Sequence, residues 1–292
     1  MDSLDIALVL RSAEDALHIL DVALSNPLPE RLWINYFKTP KHSETVLWLL
    51  GSVRTWLHGW LNDCPEILDS QPMYFVGSLT PDPHAAASIV PDKRTIWLYD
   101  SFFEGCRTPE DIELRTWMRF CCEYRRALLI IHELIHFKSH QWWSALCLRI
   151  DDPRFNTLGK KRGLTLVHDM GIAISKVPGA CTWENFDAEI EPNTLGFSRR
   201  EKKDLENTPP QTTEQVRIDG YESRGARILA RSIEGDIGAL LNADSYTELA
   251  GRAFMAHHMS LYRRRLSVPL LKNGVKEQEK TRRQSMFEWL RQ

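Results

Sequence analysis

Apolar positions along the first sixty residues recur with helical spacing. Leu4, Ala7, Leu8, Leu10, Leu17, Leu20 and Leu24 fall near one broad face and predict an amphipathic helix over 4–24, closed by Pro27 and Pro29. A second helical stretch is expected over 29–37, a break at Thr39-Pro40, and a third helix over 43–61. Ser43 is the expected N-cap of that third helix, and Val46, Leu47, Leu50, Val53, Trp56, Leu57 and Trp60 supply its apolar positions. The tryptophans here read as core. From 65 to 103 the periodicity shortens, so 73–77 and 95–99 are predicted strands, separated by a loop that holds Pro81, Pro83 and Pro91.

Thr108-Pro109-Glu110-Asp111 has the form of a helix start, with Thr as N-cap, Pro at the first position and acids in the first turn. The helix carries Leu114, Trp117, Met118 and Phe120 and is expected to break near Glu123, because a run from 109 to 149 is long for a globular protein. Residues 151–163 read as a polar loop and 164–174 as a mixed segment containing His168 and Asp169, with a turn at Pro178-Gly179. An acidic, aromatic stretch over 183–189 leads to a solvated loop over 193–217. A helix follows over 221–241 and breaks at Asn242-Ala243-Asp244; Asp244 or Ser245 caps the next helix, which runs to about 266, and 276–292 reads as a charged terminal helix. The pattern as a whole predicts a mainly α fold with a small β component (α+β). A helical scaffold over 1–64 precedes a catalytic region over 65–292 with a long polar insertion around 150–217, the two forming one compact unit.

A chain of 292 residues, 43% apolar, is long enough to bury a sizeable core. The net charge of −2 provides no field for nucleic acid or an anionic membrane surface, so peptide or small-molecule partners are expected. No apolar run approaches membrane-spanning length. Met1-Asp2-Ser3-Leu4-Asp5 is acidic where a signal peptide begins with basic residues, which predicts a cytoplasmic location. The six cysteines, at 64, 106, 121, 122, 147 and 181, show no paired spacing and read as buried thiols rather than metal ligands or disulfides.

The chemistry lies in 128–136, where Leu128-Leu129-Ile130-Ile131 runs into His132-Glu133-Leu134-Ile135-His136. Residues four apart share a helix face, so His132 and His136 can offer imidazole nitrogens to one zinc ion with Glu133 beside them, the zincin arrangement. Two imidazoles and a third protein ligand leave one position for water, from which Glu133 can take a proton. The competing reading is a buried helix whose histidines bond to neighbours and bind nothing. His140 continues the spacing, but three ligands stacked along one face do not converge, and it is placed outside the ligand set. No third ligand follows His136 at local spacing, so an acid further along is required.

Several stretches resemble the deuterolysin family, the aspzincin metalloendopeptidases. Asn242-Ala243-Asp244-Ser245-Tyr246 with Ala250 is very similar to a run near the family's carboxyl end; 95–103, ending in Phe102-Phe103, resembles its strand before the zinc helix; Tyr36-Phe37-Lys38-Thr39 resembles a weaker amino-terminal feature. The resemblance touches points from about 36 to 250. It implies a zincin-like fold, Zn2+, peptide hydrolysis by a Glu-activated water, and a third ligand that is Asp. Arg217-Ile218-Asp219-Gly220-Tyr221-Glu222 is the nearest counterpart of the family's Asp motif, which makes Asp219 the expected ligand and Tyr221 the expected oxyanion stabiliser. The spacing departs from the family's by one residue, and Glu184, Asp187, Glu189 and Asp169 compete with Asp219. Tyr246 is expected to be structural. Some members of the family cleave before Lys, which requires an acidic pocket that the sequence does not locate. Two alternatives stand beside the peptidase: a non-proteolytic metal enzyme of fungal small-molecule (secondary metabolite) biosynthesis, and a pseudo-enzyme that retains only metal binding.

Overall fold

The computed structural model describes residues 3–62, 74–77, 86–91, 94–103, 116–176, 186–192, 215–219, 222–231 and 235–267. Ten α-helices and six strands are found among them, so the architecture is mainly helical with a small β component. The chain divides into two compact units, Met1–Phe254 and Met255–Gln292. Of the second, the residues described are helical.

Helices α1 (Ser3–Ser25), α2 (Glu30–Phe37) and α3 (Ser43–Leu61) form where the periodicity places them. The buried face of α1 differs from the expected one. Val9, Ala13, Ala16, Ile19, Leu20 and Ala23 point inward, whereas Leu10 is exposed. Small alanines let the helix approach its neighbours closely, which the more conspicuous leucines would prevent. Nor does Ser43 cap α3. His42 holds the N-cap position without a side-chain bond, and a short 3-10 turn, Pro40–His42, precedes it, capped by Thr39.

The long helix α5 (Thr116–Gln141) packs on both α1 and α3. It runs unbroken past Glu123, against expectation, because no Gly or Pro interrupts 116–141. Ala127, Ile131, Leu134 and Ile135 are fully buried, and Phe137 meets Trp56 edge-on at 5.8 Å. The chain pauses at Trp142 and continues as α6 (Trp143–Ile150) and α7 (Pro153–Arg162). Helix α7 occupies most of the expected polar loop. Asp152 caps it by accepting from Arg154 N at 3.0 Å, Pro153 opens it, and Gly163 closes it at φ 65°.

One sheet has the order β1-β3-β2, with β1 (Tyr74–Gly77) parallel to β3 (Thr95–Leu98) and β2 (Ala87–Val90) antiparallel to it. Strand β2 lies within the expected proline loop and packs on α5. The short α4 (Asp100–Phe103) follows β3, and Phe102 O accepts from Arg126 Nε of α5 at 2.8 Å. A second sheet, β5-β4-β6, is antiparallel throughout, with β4 (Met170–Lys176) between β5 (Phe186–Pro192) and β6 (Gln215–Asp219). Residues 215–217, expected in a solvated loop, belong to β6. Two helices, α8 (Glu222–Arg231) and α9 (Gly235–Leu240), cover most of the predicted 221–241 helix, and α10 (Ala243–Ser267) follows. The predicted elements at 108–115, 193–214 and 276–292 lie outside the described residues, as do Cys64, Cys106 and Cys181. Cys147 is a free thiol.

Candidate metal centre

Helix α5 carries His132, Glu133 and His136 on buried surface, 6%, 5% and 7% exposed. Their spacing brings the two rings together edge to face, with Nε2 of His132 and Nε2 of His136 3.0 Å apart. The third group is Asp169. Its Oδ1 stands 3.0 Å from His132 Nε2 and 3.3 Å from His136 Nε2, so three ligand atoms surround one point.

The opposite edge of each ring decides what the converging nitrogens offer. His136 Nδ1 lies 2.6 Å from Val167 O. A carbonyl only accepts, so Nδ1 carries the hydrogen, and in the neutral ring Nε2 bears a lone pair. His132 Nδ1 lies 2.7 Å from Asp244 Oδ1, which imposes the same tautomer. Two nitrogen lone pairs and a carboxylate oxygen facing one another repel unless a cation or a shared proton lies between them. Zinc ligands about 2.0–2.1 Å from the metal at tetrahedral angles stand about 3.3–3.4 Å apart, close to the three separations found. The three groups could therefore hold a metal ion.

Electrostatics favour a positive charge among these groups, carried by a metal ion or by a proton on an imidazole. Burial would lower the His132 pKa, but the charges of Asp244 and Asp169 and their hydrogen bonds raise it well above the ordinary imidazole value. Burial likewise works against the rise at His136, where Asp169 prevails. Asp169 is held well below the usual carboxylate range: burial opposes this, and the two imidazoles outweigh it. Glu133 is pushed up by burial, with His132 and His136 pulling the other way. The surroundings thus favour positive charge at the centre of the cluster and a proton-accepting carboxyl beside it.

Asp169 immediately precedes β4, on a segment held from two sides. On the α5 side, Ser139 Oγ donates to His136 O at 3.0 Å and accepts from Val167 N at 2.8 Å. On the other, His168 N donates to Leu241 O at 2.8 Å and Ala243 N to His168 O at 3.0 Å, an isolated parallel bridge between His168 and Asn242. Asn242 Oδ1 accepts from Met170 N at 3.0 Å, and its Nδ2 donates to Ser245 Oγ at 3.1 Å. Tyr246 is fully buried, donates to Leu240 O at 2.9 Å and meets Phe37 edge-on at 5.1 Å. These contacts pack it into the core beside α2.

The structure thus brings together His132, His136 and Asp169, with Glu133 beside them. Among the described side chains the third member of the group is Asp169, which the sequence places behind Asp219. Asp219 ends β6, its backbone paired with Gly171, two residues beyond Asp169; its side chain lies outside the described residues. Asp187 and Glu189 pair with Ser175 and Ala173 through the backbone of β5, again without a described side chain. Tyr221 and Glu184 lie outside the described residues. His140 is half-buried and does not join the ligand group. The contact of Asp244 with His132 joins residues 112 apart and has no signature in local spacing. Among the described residues, no helix is long and apolar enough to cross a membrane. Neither a family model, nor a curated protein, nor a solved structure matches this chain.

Proposed function

We propose that the chain is a zinc-dependent hydrolase of the zincin type, a deuterolysin-like metalloendopeptidase with His132, His136 and Asp169 as its ligands. The observation that carries this reading is the convergence of two Nε2 atoms and one carboxylate oxygen within 3.3 Å of one another, the imidazoles oriented by Asp244 and Val167 O. When bound, zinc supplies Lewis acidity to a water and to a carbonyl oxygen. Glu133 accepts a proton from the attacking water as its oxygen bonds to the carbonyl carbon, then passes that proton to the departing amine as the C–N bond breaks. Its burial excludes bulk solvent from this transfer. A peptide substrate is supported by β2, an edge strand lying on α5, because an extended chain can add to such an edge through backbone hydrogen bonds. A Tyr hydroxyl for the oxyanion remains part of the proposal through Tyr221.

Glu133→Gln preserves size and removes the base. Peptide hydrolysis by the zinc-loaded variant is expected to fall by about 10²–10⁴-fold while zinc content stays near one per chain. Chelation should abolish wild-type activity, and zinc should restore it. Hydrolysis that persists through both changes would exclude this mechanism.

A further inference from the structure

We infer that the segment Asn242-Ala243-Asp244 sets the affinity of the metal centre by positioning two of its three ligands. This rests on the proposed zinc site and assigns to residues outside the ligand set the work of holding it in shape. Two independent contacts carry it. Asp244 Oδ1 accepts from His132 Nδ1 at 2.7 Å, fixing both the tautomer and the rotation of that ring. Two residues earlier, Asn242 Oδ1 accepts from Met170 N at 3.0 Å, the peptide that directly follows Asp169. The backbone bridge with His168 grips the same strand on the other side of Asp169.

Asn242 is 1% exposed and Ser245 is fully buried, so the bond from Asn242 Nδ2 to Ser245 Oγ holds the amide in one orientation, its oxygen toward Met170. Asp244 stands in the first turn of α10, where the helix dipole favours a negative charge. One three-residue stretch thereby reaches His132 on α5 and Asp169 before β4, positions 37 residues apart that no local geometry relates. The third ligand, His136, is held separately, through Val167 O and the Ser139 hydroxyl. Groups that orient metal ligands typically change metal affinity by 10–100-fold when removed.

The test is zinc affinity by competition with a chromophoric chelator, measured together with the melting temperature of the metal-free protein, for wild type, Asp244→Ala, Asp244→Asn, Asn242→Ala and Asn242→Asp. Asp244→Ala and Asn242→Ala are expected to weaken zinc binding about 10–100-fold. Asn242→Asp keeps an acceptor for Met170 N and should recover most of the loss; Asp244→Asn keeps an acceptor for His132 but not the charge, and should fall between wild type and Asp244→Ala. The cobalt-substituted alanine variants should show visible absorption altered from wild type, a readout of ligand geometry independent of turnover. Zinc affinity within twofold of wild type in both alanine variants overturns the inference. So does a loss that follows only the metal-free melting temperature, or one that the conservative variants fail to relieve. If either alanine variant does not fold, the two conservative variants decide alone: Asn242→Asp must bind zinc more tightly than its loss of fold stability would allow, and Asp244→Asn more weakly. A wild-type protein that binds no zinc overturns the metal site itself and this inference with it, whereas tight wild-type binding with unaffected variants overturns the positioning role alone.

Discussion

A buried imidazole that meets no hydrogen-bond acceptor is poorly placed to take up a proton. His42 is such a residue, 8% exposed, its Nε2 without a hydrogen-bond partner among the described residues. Burial lowers its pKa, Lys41 and Arg154 lower it further, and Asp152 and Asp236 oppose them. A folded-state value below the unfolded one means that protonation favours unfolding. The contribution of His42 is therefore fully present above the ordinary imidazole value of 6.5 and is lost as pH falls through the lower folded-state value. Asp152 adds to the same trend at more acid pH, because its bonds from Arg154 and Lys41 hold it far below the usual carboxylate range. We expect His42→Gln to flatten the dependence of the denaturation midpoint on pH just below 6.5, leaving the acid-side slope set by carboxylates. An unchanged slope in that interval would remove His42 as its source. At this scale, the sequence exposed what depends on local spacing: His132, Glu133 and His136 share one helix, and four residues make one turn. Asp169 lies 33 residues beyond His136 with two helices between, so only the folded path of the chain brings it to the imidazoles; the side chains of its acidic rivals lie outside the described residues. Asp219 drew attention through a partial likeness to a motif, and a motif carries no distances.

Helices declare themselves when their own residues bury a wide apolar stripe, and less clearly when they do not. The spans of α1, α2 and α3 follow the periodicity, whereas α10 begins at Ala243, ahead of the expected cap at Asp244 or Ser245, and takes Asp244 into its first turn. Helix α7 was hidden by its Arg154, Lys160, Lys161 and Arg162, although Asp152-Pro153 at one end and Gly163 at the other are ordinary start and stop signals. Its buried anchors are few, Phe155 and Leu158 among them, too few to outweigh the polar composition. Strand β2 was hidden likewise, four residues between prolines whose pairing with β3 is a tertiary fact. The contact of α10 with α5 gives a test of packing between elements. A Cβ on Gly251 would fall against the Tyr124 hydroxyl and, at 3.0 Å, Leu128 Cδ2. Helix propensity favours alanine over glycine by up to about 1 kcal/mol. Overpacking a close helix contact costs about 1–3 kcal/mol, so a net loss is expected. Gly251→Ala should lower the thermal midpoint of the protein, and a higher midpoint would mean that Tyr124 yields without strain.

Over the whole unit Met1–Phe254, the centre is assembled from parts that meet only when the chain is folded: two imidazoles of α5, a carboxylate before β4, and the orienting groups at the start of α10. A metal that requires all of them binds the folded state and not the unfolded one, and stabilises it by about 2.7 kcal/mol at a free concentration one hundred times Kd. Zinc should therefore raise the thermal midpoint of the wild-type protein, and the rise should grow with the logarithm of zinc concentration above Kd. Asp169→Ala removes the carboxylate between the two imidazoles, and its midpoint should respond little to zinc at concentrations that saturate the wild type. Asp219→Ala leaves the three converging atoms in place and should respond as the wild type does. Differential scanning calorimetry across a zinc titration reads all three proteins on one scale. The opposite pattern, a response lost with Asp219 and kept with Asp169, would transfer the third position to the carboxylate that the motif first suggested, leaving Asp169 as a partner of the imidazoles rather than a ligand.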